Sequence, residues 1–287
     1  MCIIRKVRKN SKQKNSFFLV QQGFLQKSVK NPKKYNNSKN MEQKPLILAV
    51  ETSGRMGSVA IATGRRMLAE TAFSGPMRHS SEVFPAIRSL LNRFDRKPKD
   101  IEHFYISVGP GSFTGLRIAV SMAKIMYLAS TVKIVKVDTF DVIASNINDY
   151  IGQKKKRVEK IAVILDAKRN QFYIAVYQHT SEGTWKKSLS DSLMTASQFL
   201  DQFAGKSKPV WLLGEGLVYY AEKFKAEGIH FLDEKYWNPR AEKVHMLGWK
   251  MACDGQFADP VTLQPKYLRR PEAEEKCKFR TQPKDLH

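Results

Sequence analysis

The chain has little cysteine and no long hydrophobic run. Its three cysteines, Cys2, Cys253 and Cys277, lie far apart in 287 residues, and none belongs to a Cys-x-x-Cys pair. This spacing gives no basis for a disulfide framework or a cysteine zinc site, and it favours a reducing, cytoplasmic compartment. No stretch approaches the ~18 apolar residues that a membrane-spanning helix needs, so we expect a soluble protein without a membrane partner.

Acidic residues are missing from residues 1–40, which contain eleven Lys or Arg. These cations supply half of the formal net charge of +22. Because the segment is rich in Lys, Asn, Ser and Gln, we expect residues 1–43 to be a disordered leader. Three interpretations stay open: an organelle-type leader, a nucleic-acid-binding arm, or translated sequence upstream of a start at Met41. We favour the last, since the patterned fold begins directly after Pro45. Residues 271–287 are polar and predicted to be a loose tail.

The glycine-rich stretch at residues 108–117 lacks the features of two common catalytic loops. It does not end in the Gly-Lys-Ser/Thr of a P-loop, and Ser112 is not at the centre of a Gly-x-Ser-x-Gly elbow. The stretch predicts instead a turn from a strand at 103–108 into a helix at 116–129, with Ser112 and Thr114 as caps. The backbone N–H groups of such a turn suit either an anion or a partner surface.

Two parts of the chain repeat the same order of elements. Residues 46–51 form an apolar run that ends in an acid, and a polar turn leads to a returning strand at 58–61. Residues 161–176 repeat that pattern, and Gly214-Glu215-Gly216 repeats the Gly109-Pro110-Gly111 turn. The repetition predicts a duplicated α/β fold with a first lobe at 44–147 and a second at 148–270. Chance similarity between short apolar strands is the alternative.

Two predicted helices of the first lobe have more apolar surface than one sheet can cover. Residues 81–94 carry a broad apolar face, and residues 116–129 are apolar except for one narrow polar stripe. We therefore expect these helices to form a partner interface, unless the second lobe covers them. The predicted interface residues are Val83, Ile87, Leu90, Arg117, Ile118, Val120, Ser121 and Lys124.

Five motifs occur in the order seen in the TsaB family, which the chain resembles over about residues 46–270. They are Ala49-Val50-Glu51-Thr52-Ser53, His79-Ser80-Ser81, Gly109-Pro110-Gly111-Ser112-Phe113-Thr114-Gly115-Leu116-Arg117, Asp166-Ala167-Lys168 and Pro265-Lys266-Tyr267-Leu268-Arg269. The family belongs to the glycoprotease-like branch of the actin, sugar kinase and Hsp70 superfamily. The resemblance implies two duplicated lobes of ribonuclease H-like type, with mixed sheets flanked by helices.

The resemblance also implies a function. TsaB proteins are dimerisation subunits for tRNA threonylcarbamoyladenosine synthesis. They pair with the catalytic TsaD-type subunit through first-lobe helices, and a TsaE-type ATPase and tRNA join the complex. A homodimer in the absence of that partner is a further expectation.

The chain has only part of the metal-binding residue pair found in its catalytic relative. The relative TsaD holds a metal through a His-x-x-x-His pair, whereas His79 of this chain is followed four residues later by Val83. Residues four apart share a helix face, so half of that ligand pair is missing. We expect no catalytic residue and no metal site. The alternative is an enzyme acting alone, either a carbamoyl transferase with metal and ATP sites or a sugar-kinase-like enzyme.

Two weaker hypotheses concern anions. The superfamily resemblance implies weak phosphate contacts at the turn after the first strand and at the glycine-rich stretch, through Thr52, Ser53, Gly109, Gly111, Ser112 and Thr114. No cofactor is expected to bind tightly, and ATP or ADP at or near the partner interface stays an open alternative. Direct tRNA contact is the second hypothesis, through the basic run at 154–157 and the late residues Lys266, Arg269 and Arg270.

Overall fold

The computed structural model describes residues 44–154, 157–206 and 208–269. The predictions for the leader, the tail, Arg270 and the central lysines of the 154–157 run lie outside the described residues. Within these ranges the chain forms ten strands and seven α-helices. No helix in the described part of the chain is long and apolar enough to cross a membrane.

The first sheet has five strands in the order β3-β2-β1-β4-β5. The antiparallel part is β1 (Leu46–Glu51), β2 (Ser58–Thr63) and β3 (Arg66–Ala72). β4 (His103–Ser107) and β5 (Lys133–Val137) run parallel to β1. Parallel neighbours need a crossover, and two helices provide it: α1 (His79–Arg93) before β4 and α2 (Phe113–Ser130) after it. The helices predicted at 81–94 and 116–129 are thus confirmed, with slightly different ends.

The second sheet repeats this arrangement. Its order is β10-β9-β6-β7-β8, so that β6 takes the central place of β1. The strands are β6 (Lys160–Asp166), β7 (Phe172–His179), β8 (Trp185–Met194), β9 (Val210–Leu213) and β10 (Ile229–Phe231). The helices after β8 and β9 are α5 (Ala196–Phe203) and α6 (Leu217–Tyr220), and α3 (Thr139–Ala144) and α4 (Ile147–Lys154) join the two sheets. The predicted fold class, two duplicated lobes with mixed sheets flanked by helices, is confirmed.

The duplication extends to single backbone angles. Gly109 follows β4 and Gly214 follows β9, and both have a φ of +117°. L-residues with a side chain rarely adopt this angle, so glycine is required at both turns. A Cβ at Gly214 would also come within 2.3 Å of the Ile164 carbonyl oxygen. The recurrence of the glycine turn is therefore a structural repeat and not a chance similarity of strands.

The last part of the chain returns to the first lobe, which corrects the predicted boundary of the second lobe at 148–270. α7 (Ala241–Cys253) places Ala241 and Val244 in one buried cluster with Ile47 and Ala49 of β1. Leu263 lies in the cluster on the opposite face of the same sheet. The physical reason is that β1 is apolar on both faces, so a second layer must cover the side that α1 and α2 leave open.

Three of the predicted interface residues belong to the core instead. Val83 is 0% exposed, Leu90 2% and Val120 7%, and all three lie in the first-lobe cluster. Ile87 and Ile118 are partly buried against that cluster. The prediction of an outward face for Val83, Leu90 and Val120 was wrong because these positions are the ones that pack the helices onto the sheet.

Candidate functional site

A cavity of about 400 Å³ lies between the turn after β1 and the turn after β6. The start of α2 and the loop after β9 close it. The weak phosphate contacts implied by the superfamily resemblance fall at this cavity. Residues from all four segments line it, among them Gly54, Arg55, Phe113, Thr114, Lys168, Glu215 and Tyr219.

Glu51, at the end of β1, is fully buried and bonded within the chain. Its Oε1 accepts from the Ser53 backbone N at 2.6 Å and from Ser53 Oγ at 2.5 Å, and its Oε2 accepts from Ser107 Oγ. Burial raises the pKa of the Glu51 carboxyl, and the hydrogen bonds from Ser107 and Ser53 oppose that shift. The carboxyl therefore organises the strand end and does not line the cavity.

Thr52 and Ser53 do not present their hydroxyls to a ligand, which corrects the prediction of phosphate contacts there. They are 0% and 1% exposed. Thr52 Oγ1 donates to the Gly115 carbonyl oxygen at 2.8 Å, while the Ser53 hydroxyl is bonded to Glu51. Both hydroxyls are thus occupied by hydrogen bonds that join β1 to its surroundings.

The glycine-rich stretch packs the start of α2 against the turn after β1. A Cβ at Gly115 would lie 1.8 Å from the Thr52 carbonyl oxygen, and one at Gly111 would lie 2.3 Å from that of Ser53. Ser112 donates its backbone N–H to the Ser53 carbonyl oxygen at 2.7 Å. These contacts are too close for side chains, so the glycines serve packing at this place.

The two predicted caps of α2 have different surroundings. Ser112 Oγ accepts from the Gly115 backbone N at 3.3 Å, which confirms Ser112 as the cap. Thr114 is exposed and lines the cavity, so its side chain is accessible to a ligand there. Of the predicted phosphate contacts, Gly109, Gly111 and Ser112 are engaged in packing and capping, and Thr114 alone among the side chains of that set is exposed.

The Glu215 carboxylate binds a backbone N–H group of the turn after β1. Its Oε2 accepts from the Arg55 backbone N at 2.6 Å, although the two residues lie in different lobes. The Arg55 guanidinium carbon lies 4.8 Å from the centre of the Tyr219 ring, which holds the turn and the loop after β9 together. Burial raises the pKa of Glu215 to about 7, and the hydrogen bond from Arg55 opposes part of that shift.

Asp166 and Lys168, at the turn after β6, also satisfy each other. Lys168 Nζ lies 2.7 Å from Asp166 Oδ2, and the Lys168 backbone N donates to Asp166 Oδ1 at 2.7 Å. The hydrogen bond to Asp166 raises the pKa of Lys168. The lysine charge is therefore compensated locally, and two carboxyl groups, Asp166 and Glu215, line a cavity that a nucleotide phosphate would have to enter.

His79 holds the turn after β1 from the first turn of α1. It is 2% exposed, and its Nε2 lies 2.9 Å from the Gly54 carbonyl oxygen. The ring also makes an edge contact with Phe73, with 5.8 Å between the ring centres. Burial lowers the pKa of His79, so the neutral imidazole is favoured. The residue four positions on, Val83, is buried in the core.

Residues 258–269, which we name the C-terminal strap, bind side chains that were predicted to contact partners. Arg117 Nε donates to Tyr267 Oη at 3.2 Å, and Lys124 Nζ donates to the Val261 carbonyl oxygen at 3.3 Å. Lys266 Nζ is bonded to the carboxylates of Asp138 and Asp191. Lys266 is thus a structural residue, and this corrects its assignment to tRNA contact.

Two remaining candidates for tRNA contact, Arg157 and Arg269, make contacts within the chain. Arg157 lies 3.0 Å from a Glu159 carboxylate oxygen, with 87% of its side chain exposed. Arg269 has hydrogen-bonding contact with the Ala167 carbonyl oxygen at 3.4 Å.

Large apolar side chains remain exposed on the outward sides of α1 and α2. Phe84 on α1 is 60% exposed, and Ile125 and Leu128 on α2 are 61% and 82% exposed. We name these three residues the outer apolar surface. Ile118 and Ser121, two of the predicted interface residues, precede Ile125 by seven and four positions and so lie on the same side of α2. Ile125 and Leu128 lie one helical turn beyond the predicted interface residues Ser121 and Lys124, so continuing those positions along the helix would have found them.

Comparison with known proteins agrees with this architecture. A family model described as TsaD: tRNA N6-adenosine threonylcarbamoyltransferase matches residues 75–276. The tRNA threonylcarbamoyladenosine biosynthesis protein TsaB of Bacillus subtilis (strain 168) is 30% identical, and the match covers 80% of this chain and 96% of that protein. The TsaB protein of Escherichia coli (strain K12) is 24% identical, with 78% and 94% covered.

Solved structures show the same fold. The structure titled YeaZ from Pseudomonas aeruginosa has a TM-score of 0.65 at 21% identity and covers 78% of this chain and 100% of that chain. A second Pseudomonas aeruginosa structure, of a protein with similarity to peptidase YEAZ, has a TM-score of 0.67 at 22% identity with the same coverage. The motifs, the two repeated sheets and the identity to the Bacillus protein together show that the chain belongs to the TsaB (YeaZ) family.

Proposed function

We propose that this chain is a noncatalytic dimerisation subunit in the synthesis of threonylcarbamoyladenosine on tRNA. In this proposal it pairs with a TsaD-type catalytic subunit, and a TsaE-type ATPase acts on the pair. The complex transfers threonylcarbamoyl to the adenosine next to the anticodon, in the cytoplasm. The names of the relatives support the pathway, and the subunit role rests on the structure of the first lobe.

The outer apolar surface carries the proposal. Leu128, Ile125 and Phe84 are each at least 60% exposed, and they stand on helices whose other sides are packed into the core. Burial of apolar area stabilises an association by about 25 cal/mol per Å² before the costs of binding are subtracted. A subunit that places its own apolar helices against this surface would remove it from water.

The proposed absence of catalysis rests on how the cavity residues are engaged. His79 is bonded to the Gly54 carbonyl and Val83 is in the core, so the helix offers no imidazole pair to a metal. Glu215 holds the Arg55 N–H group. The alternative, an enzyme acting alone as a carbamoyl transferase or a sugar-kinase-like kinase, requires turnover by the purified chain. Metal- and ATP-dependent turnover without any other subunit would establish that alternative.

The same engagement supports the proposal that no nucleotide binds tightly in the cavity. Titration calorimetry of the isolated chain with ATP or ADP should give no binding heat at millimolar ligand. ATP or ADP at the interface with the catalytic subunit is a separate proposal. It predicts that binding heat appears when the titration is repeated with the assembled pair.

The subunit role is tested by co-expression with the TsaD-type subunit of the same source, followed by size-exclusion chromatography with light scattering. We expect a stable complex for the unchanged chain and its loss for Leu128→Asp, since an unpaired charge would be buried at the contact. Val218→Asp is the matched control, because Val218 is an apolar side chain of the second lobe that is 41% exposed. Equal complex formation by both variants would place the partner elsewhere. In the absence of the partner, we expect the same Leu128→Asp change to abolish any homodimer.

A further inference from the structure

The end of α1 and the turn that follows it carry an uncompensated group of cations. Five Lys or Arg and two Asp lie between positions 88 and 100. All five cationic residues are exposed, and within the described residues none has a carboxylate oxygen within salt-bridge distance. We name them the α1 basic group: Arg88, Arg93, Arg96, Lys97 and Lys99.

Three exposed lysines of the second lobe are paired with carboxylates. Lys186, Lys208 and Lys225 of the second lobe lie 3.3, 2.8 and 2.7 Å from the carboxylate oxygens of Glu182, Glu159 and Glu222. These three lysine side chains are nevertheless exposed to solvent, at 67%, 55% and 61%. The end of α1 differs from these pairs because its five exposed cations lie close together in the sequence and none has a carboxylate partner within the described residues.

The backbone that carries the basic group is well ordered by hydrogen bonds. The Arg96 backbone N donates to the Leu91 carbonyl oxygen at 2.9 Å, and the Lys97 backbone N donates to Asp100 Oδ2 at 2.8 Å. The Asp100 carboxylate accepts this bond from the turn. The backbone under the cations is therefore held by hydrogen bonds, which lowers the entropy cost of binding a partner.

A groove of about 960 Å³ brings part of the basic group together. Arg88, Arg96 and Lys97 line it, next to the polar side chains of Ser89 and Asn92. The groove combines three positive charges and neutral hydrogen-bonding groups with apolar side chains, among them Leu91 and also Phe84, which belongs to the outer apolar surface. A phosphate backbone has regularly repeated charges and can contact several separated cations at once.

We propose that the α1 basic group is a contact surface for the phosphate backbone of RNA. The inference rests on the proposed function, which brings tRNA into the same complex as this chain. It differs from the expectation based on sequence, which placed tRNA contact at 154–157 and near Lys266. Phosphate contacts of this kind position the RNA and carry no base specificity.

The experiment compares two triple variants of the full chain by fluorescence anisotropy with a labelled tRNA transcript at several salt concentrations. Arg88→Gln/Arg96→Gln/Lys97→Gln removes three charges from the basic group. Lys186→Gln/Lys208→Gln/Lys225→Gln removes three compensated charges from the second lobe and leaves residues 1–43 unchanged. All six positions are exposed, so circular dichroism and thermal unfolding should show folded proteins for both variants.

We expect the first variant to lose at least tenfold in affinity at low salt. The slope of log affinity against log salt should fall by roughly 2–3, because each phosphate contact contributes about 0.7–0.9 to it. The tRNA affinity of the control variant should stay within about twofold of that of the unchanged chain. Its three lysines are already paired with carboxylates, and exposed ion pairs of this kind contribute little to stability, so the variant should stay folded. Hydrogen exchange should slow at residues 84–100 when tRNA is added to the unchanged chain.

Equal tRNA affinity and equal slope for the two variants would overturn the proposal. So would a first variant that keeps its tRNA affinity but no longer binds the TsaD-type subunit, because the cations would then serve an acidic protein surface. The subunit role is read separately, from chromatography of the unchanged chain with that subunit. A chain that binds tRNA through the α1 basic group but ignores the subunit would refute the subunit role and leave the RNA surface standing.

Discussion

At position 115 the chain can accommodate a hydrogen atom and nothing larger. The carbonyl oxygen of Thr52 lies where a Cβ would be, and the Thr52 hydroxyl donates to the Gly115 carbonyl from the same side. The glycine-rich stretch is therefore a joint between α2 and the turn after β1. The stretch resembles an anion-binding loop because both are rich in small residues, but here those residues allow close packing of the backbone.

Gly115→Ala should destabilise the chain by about 2–4 kcal/mol, because backbone must move to admit the methyl group. Gly152→Ala is the control, since nothing lies within 4 Å of a Cβ built at that helical position. Alanine there should be neutral or slightly stabilising. Urea unfolding of both variants measures the difference, and similar midpoints for the two would contradict the packing role of Gly115.

Glu215 makes the free energy of unfolding depend on pH. Its pKa rises from 4.5 to about 7 in the folded chain, so the folded state holds the proton more tightly than the unfolded state does. The stability that this provides is complete below pH 4.5 and is lost as the pH rises towards 7.

Relative to Glu215→Gln, the unchanged chain should therefore lose roughly 2–3 kcal/mol of unfolding free energy between pH 4.5 and pH 7.5, at about 1.4 kcal/mol per pKa unit. Urea midpoints across that range measure it. A constant difference between the unchanged chain and Glu215→Gln would show that Glu215 has an ordinary pKa.

Among the helices, α2 has one side buried in the core and another side exposed to solvent. Val120 and Ala123 are 7% and 0% exposed and pack on the sheet, whereas Leu128 is 82% exposed. Val120→Asp should unfold the first lobe or cost at least 3 kcal/mol, because a charge would enter the core. Leu128→Asp should leave the unfolding temperature nearly unchanged. Far-ultraviolet circular dichroism during heating distinguishes the two, and equal behaviour would contradict the assignment of the faces.

Much of the fold could be predicted from the sequence because β1 and β6 are short apolar runs bounded by polar turns. The strand order and the glycine turns repeat, so one half supported the interpretation of the other. The sides of α1 and α2 could not be assigned, because α1 has a broad apolar face, α2 is apolar almost all round, and burial depends on which residues meet the sheet. The role of Thr52 and Ser53 was also hidden, since their partners, Gly115 and Glu51, are fixed only by the folded arrangement.

The return of α7 to the first lobe had no clear signal in the sequence. Its position depends on contacts with residues far away in the chain: the Ala241 backbone N donates to Ser58 Oγ at 2.8 Å, and Lys243 Nζ lies 2.7 Å from Asp149 Oδ1. Contacts between residues separated by more than ninety positions are invisible to local patterns. Lobe boundaries drawn along the sequence therefore miss such crossovers.

At the scale of the whole molecule, the lobes are tied together on several sides. Glu215 reaches Arg55 across the cavity, the C-terminal strap joins Val108 to Asp191, and α7 packs under β1. These ties hold the cavity residues in contact with each other. Two of the surfaces that stay exposed are the outer apolar surface of α1 and α2 and the α1 basic group at the end of α1.

Binding of the catalytic partner to the exposed first-lobe helices is tested by size-exclusion chromatography with light scattering on the chain co-purified with the TsaD-type subunit of the same source. We expect a complex that persists through the column with the unchanged chain and with Val218→Asp. We expect Leu128→Asp, folded by circular dichroism, to elute apart from the subunit. A folded Leu128→Asp chain that still elutes with the subunit, or an unchanged chain that never does, would contradict the claim that exposed helices of the first lobe bind the catalytic partner.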